Sequence, residues 1–104
     1  MFALNPLPRF MRKLKKITKK DEALKEKFRR TMNLLVADPR NPVLKSHKVT
    51  SVSDEKLFSS RVSGDLRIIW CYGILQEKEN KEKPIQIIDL IDVGGHEGGK
   101  KVYG

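Results

Sequence analysis

The sequence predicts an α+β domain: two N-terminal amphipathic helices packed on one face of a mainly antiparallel sheet of three to four strands. Three observations predict it. Apolar residues recur at helical spacing from Phe10 to Leu35. Three runs rich in β-branched and aromatic residues fill much of the second half, and the dipeptide Ser63-Gly64 separates two of them as a hairpin turn does. The 104 residues fit one domain, 1–104.

The elements follow in order. "FALN" is short enough for a first strand at most. Pro8 suits the first turn of a helix, because its missing N–H would lack an intrahelical partner there. Phe10, Leu14 and Ile17 then recur at i, i+4 and i+7, one face of a helix, with Arg12, Lys13, Lys15, Lys16, Lys19 and Lys20 around the rest. Asp21 is placed to cap a second helix and Glu22 to complement its positive end. Leu24, Phe28, Met32 and Leu35 make its stripe, and Asp38-Pro39 stops it. Two such helices form a hairpin that must bury its stripe against a partner layer.

That layer is the second half. "KLFSSRV", "DLRIIWCYGIL" and "PIQIIDLIDV" read as strands, the last as a central one, and the polar "QEKENKEK" as an exposed loop. In the second run Leu66, Ile68, Trp70 and Tyr72 share one face, predicted to lie under the helices. Asp65, Arg67, Ile69 and Cys71 share the other.

Composition narrows the class. No stretch approaches the roughly 18 to 20 apolar residues of a membrane-spanning helix. The opening "MFALNPLPRFMRKLKK" does not read as a signal peptide, since prolines break its short apolar part and the basic run follows it. The single Cys71 makes no intrachain disulfide, which points to a reducing, cytoplasmic setting. The net charge is +9 and uneven. Residues 1–50 carry fourteen basic and four acidic side chains; residues 51–104 carry eight and nine. Such a field suits a polyanionic partner, nucleic acid among them, while solvated helix lysines are its plain alternative.

Metal and nucleotide motifs are absent from the sequence. The two histidines, His47 and His96, are far apart, and no HExxH or CxxC occurs. "GGHEGG" follows a strand but opens no helix, so it lacks the context of a phosphate loop. No cofactor is expected. Taken singly, His47, His96, Arg67 and Tyr103 are ordinary surface or loop residues. Taken together they match a chemistry. RNA cleavage by its own 2′-hydroxyl needs a base, a cation at phosphorus and an acid for the leaving 5′ oxygen. Histidine serves as acid or base near neutral pH, and arginine's planar fork fits phosphate oxygens. Tyrosine stacks on a base or bonds a phosphate.

The blocks "LKSHKV", "RVSGDLRIIW" and "IIDLIDVGGHEGGKKVY" resemble successive segments of the RelE/ParE toxin superfamily, its RelE- and YafQ-like mRNA interferases in particular. The resemblance covers nearly the whole chain, including both helices. It implies a single RelE-like toxin domain from a toxin–antitoxin pair. The implied activity is a metal-independent endoribonuclease that cuts mRNA in the ribosomal A site and so inhibits translation. The implied partners are a cognate antitoxin and mRNA on the ribosome. Residue by residue, His47 matches a histidine that aids proton transfer and Asp65 an acidic residue at a strand start. Arg67 matches the phosphate-binding arginine, and His96 the position tied to leaving-group protonation. Tyr103 resembles the terminal aromatic that stacks on or orients the substrate. Lys45, Lys48 and Arg61 would contact the RNA backbone, as would Lys100 and Lys101 in the tail. One departure stands out: seven positions separate His96 from Tyr103, more than in histidine-bearing relatives, and Gly98 and Gly99 offer a place to loop out the excess. Two other functions share this resemblance: inhibition of DNA gyrase, as by ParE, and non-catalytic binding of nucleic acid or antitoxin.

Overall fold

A computed structural model describes residues 2–49, 57–75, 85–97 and 100–101. The order is β1 (Ala3–Pro6), α1 (Pro8–Thr18), α2 (Glu22–Ala37), a 3₁₀ turn (Pro42–Leu44), β2 (His47–Val49), β3 (Leu57–Ser63), β4 (Leu66–Leu75), β5 (Ile85–Gly94), β6 (His96–Glu97) and β7 (Lys100–Lys101). The first five strands form one sheet in the order β1-β5-β4-β3-β2. β1 runs parallel to β5; the other pairs are antiparallel. β6 and β7 pair with each other alone.

Both helices begin as the sequence dictates. Pro8 opens α1, and Asp21 caps α2 by accepting from the Leu24 N–H at 3.0 Å. Phe10 of α1 and Phe28 and Leu35 of α2 are fully buried against Ile68, Trp70, Ile88 and Leu90 of the sheet. The helices therefore cover the predicted face. Lys13 departs from the solvated pattern of α1: its Nζ lies 2.7 Å from a carboxylate oxygen of Asp92, which is buried on β5. Arg9 reaches the same carboxylate at 3.8 Å. This pair ties the basic side of α1 to the sheet, because a buried carboxylate needs compensation.

The sheet has five strands where the sequence predicts three to four; it is mainly antiparallel as predicted, with β1–β5 the one parallel pair. The additional strand is β2, three residues long and too short to display a period of two. β4 starts at Leu66, so Asp65 sits in the β3–β4 turn with Gly64, whose φ is +53°. The segment "QEKENKEK" lies outside the described residues. Among the described residues no helix is long and apolar enough to cross a membrane.

Candidate RNA-cleavage face

The sheet's far face, away from the helices, holds the candidate site. Strand register sets it out in rows. Arg61 on β3 stands directly opposite Arg67 on β4, which in turn pairs with Gly94 on β5. One row along, His47 on β2 pairs with Ser59 on β3, and Ser59 with Ile69 on β4. Side chains two residues apart on a strand share a face, so His47, Ser59, Arg61, Ile69 and Arg67 belong to one side of the sheet, where Ser59 and Ile69 are buried and His47 and Arg61 exposed. From the strand and residue spacings, His47 and Arg67 have Cα atoms about 12 Å apart.

The electrostatics of this face are unbalanced. Arg61 is exposed and Arg67 half-buried, and neither makes an ion pair among the described residues. Like charges directly opposite each other destabilise a sheet. That pairing does not stabilise the sheet, and two cations at opposed strand positions suit an anion.

His47 is exposed at the first position of β2. Its Nδ1 lies 3.2 Å from the Lys45 carbonyl oxygen. A carbonyl only accepts, so Nδ1 is the donor of this bond, which in the neutral ring leaves Nε2 as the acceptor nitrogen. Lys45 holds its carbonyl there from a left-handed conformation, φ +48°, the single non-glycine residue with positive φ among those described.

His96 follows the end of β5 in the chain, with Gly95 between. Gly95 passes so close to the β3–β4 turn that a Cβ on it would lie 3.2 Å from the Asp65 carbonyl oxygen and 3.4 Å from Leu66. Its φ is +155°. Only glycine fits both demands. The chain thus places His96 one residue past this contact, two past Gly94, the partner of Arg67. β6 then pairs His96 with Lys101 and Glu97 with Lys100. Gly98, Gly99 and Tyr103 lie outside the described residues.

The register thus gathers His47, Arg61 and Arg67, with exposed Asp65 in the adjoining turn and His96 next along the chain. It sets Lys48 apart: paired with Phe58, it belongs to the opposite side of β2 from His47. Sequence reasoning missed Ser59, fully buried, whose hydroxyl has no hydrogen-bond partner among the described residues. It also missed a basic cleft of about 360 Å³ between α2 and the β3–β4 turn, where Lys27, Arg30, Lys45 and Arg61 converge. Those four come from three segments, so no local spacing could reveal them.

No family model matches the sequence, and no curated protein matches it. Solved structures do. A YoeB/ParE toxin from Agrobacterium tumefaciens superposes with a TM-score of 0.68 at 14% identity, over 92% of this chain and 100% of its own. YafQ from E. coli strain BL21(DE3) gives 0.61 at 19%, over 92% and 94%. The chain shares the fold of these solved proteins. YafQ in the E. coli DinJ–YafQ complex shows the same toxin fold, with a TM-score of 0.59 at 19% identity over 92% and 94%.

Proposed function

We propose that the protein is the toxin of a toxin–antitoxin pair and an endoribonuclease that cuts mRNA on the ribosome. The observation that carries the catalytic part is the Arg61–Arg67 pair: two arginines at directly opposed positions of β3 and β4, neither in an ion pair among the described residues. The toxin fold supports the biological setting, and the antitoxin seen with YafQ motivates an antitoxin partner here.

In this reading the step uses the side chains of this chain alone. The 2′-hydroxyl gives its proton to Nε2 of His47, and its oxygen attacks phosphorus. The bond from phosphorus to the 5′ oxygen breaks, and His96 delivers a proton to that oxygen. The products are a 2′,3′-cyclic phosphate and a free 5′-hydroxyl. Arg67 and Arg61 hold the non-bridging oxygens as charge builds; fixed cations of this kind are often the largest catalytic contribution. Asp65, in the turn that Gly95 touches, positions the His96 segment. Tyr103, Lys100 and Lys101 complete the RNA contacts in the tail.

The test is cleavage of a reporter mRNA during translation, with both new ends characterised. A cyclic phosphate upstream and a 5′-hydroxyl downstream support the scheme. A 5′-phosphate on the downstream product rules it out.

A further inference from the structure

A second concave surface lies at the β2 edge, on the helix side of the sheet. Its volume is about 580 Å³, within the range of roughly 300–1,000 Å³ usual for ligand sites. One wall is the loop from Pro39 to Lys48; the other is Phe58, Trp70 and Tyr72. A directional hydrogen-bond chain fixes the two walls together. Trp70 Nε1 donates to Ser60 Oγ at 2.7 Å, Ser60 and Ser46 hydroxyls meet at 2.6 Å, and Ser46 donates to the Pro39 carbonyl at 3.1 Å. The pocket is therefore built before any ligand arrives.

Its chemistry is specific. Phe58 stacks on Trp70 with centroids 4.8 Å apart, and Tyr72 meets both edge-on at 5.4 and 5.0 Å. Trp70 is buried, yet Tyr72 is 46% exposed. Arg40, Lys45 and Lys48, all exposed, stand around the rings, and no carboxylate lines the pocket among the described residues. None of the three cations makes an ion pair among the described residues. Lys45 also lines the basic cleft between α2 and the β3–β4 turn, so the two concavities share a cation. An acidic peptide would satisfy the cations and leave the ring idle. A nucleotide satisfies both, with a planar base for Tyr72 and phosphates for the cations.

We propose that this pocket binds one nucleotide of the single-stranded RNA flanking the cleaved bond, its base stacked on Tyr72 and its phosphates held by Arg40, Lys45 and Lys48. The proposal rests on the reading of RNA as substrate, but its test does not depend on cleavage. The probe is a 5′-fluorescein oligoribonucleotide, 2′-O-methylated throughout, which lacks the nucleophilic hydroxyl. Binding is read by anisotropy for the full chain. Tyr72→Phe should bind as the parent does. Tyr72→Leu, which keeps an apolar side chain but no π-face, should bind about 5- to 150-fold more weakly. The double variant Arg40→Gln, Lys48→Gln should lower the magnitude of the log–log salt slope by about 1.4, two single-strand phosphate contacts. Parental affinity in Tyr72→Leu overturns the proposal, as does equal binding of a polyglutamate peptide that is insensitive to Tyr72. Should Tyr72→Leu unfold, the parent still decides. A base in the pocket quenches Trp70, the one tryptophan of the chain, and the double variant of exposed residues loses that quench; no quench in the parent overturns the assignment. Loss of mRNA cleavage in Arg67→Ala reports separately on the catalytic reading.

Discussion

Arg61 and Arg67 face each other directly across β3 and β4, with no carboxylate between them among the described residues. Repulsion between directly opposed like charges in a sheet is worth about 0.2–1 kcal/mol. Arg67→Ala should therefore leave the melting temperature unchanged or raise it slightly, while mRNA cleavage falls about 10²- to 10³-fold. Arg61→Ala, at the more exposed position, should lose less. Thermal melts beside cleavage assays check this. An unfolded Arg67→Ala would make the guanidinium structural.

Gly64 and Gly95 make different demands. A Cβ on Gly64 meets nothing, but φ is +53° there. Gly64→Ala should cost about 1–2 kcal/mol of stability and spare cleavage. Gly95→Ala pushes a Cβ against the Asp65 carbonyl and displaces the segment that carries His96. Its cleavage should fall well beyond what the stability loss explains. Equal cleavage in the two variants, at matched folded fraction, would remove Asp65 and Gly95 from the site.

His96→Gln should keep RNA binding and lose cleavage by about 10²–10⁴-fold, the usual effect of losing an acid. Substituting a 5′-thio linkage, whose leaving group needs little protonation, should restore much of the rate. His47→Gln should show no such rescue, because it removes the base. Rescue of both variants alike would exchange or dissolve the two roles.

Lys13→Ala should destabilise the fold by about 1–3 kcal/mol, since it strips the nearer cation from buried Asp92 and leaves, among the described residues, Arg9 at 3.8 Å and the Val93 N–H at 2.8 Å. Lys16→Ala, at an exposed position of α1, should stay within about 0.5 kcal/mol. Denaturant titrations of the two variants give the comparison. Matching values would place Asp92 in a solvated setting.

The helix stripes, the caps at Pro8 and Asp21 and the β3–β4 hairpin were legible in the sequence because each is a local pattern. β2 was not, since three residues carry no period and its partner is set by tertiary pairing. The candidate residues were chosen by type, and their arrangement was not legible. Nothing in "RVSGDLR" says that Arg61 and Arg67 stand opposite each other; the turn geometry at Gly64 decides it. Tyr72 illustrates the converse. Strand alternation assigns it correctly to the helix-side face, yet it remains 46% exposed, because alternation reports which side a residue points to and not how far the covering layer extends.

The most direct test of the central claim pairs two assays on the purified chain and its Arg67→Ala variant. One maps cleavage of an mRNA during translation; the other measures supercoiling by DNA gyrase. The account predicts mRNA cuts bearing 2′,3′-cyclic phosphates with the parent, almost none with Arg67→Ala, and gyrase unaffected by either. Intact mRNA together with blocked supercoiling by the parent would contradict it, and would assign the Arg61–Arg67 face to a gyrase-inhibiting toxin instead.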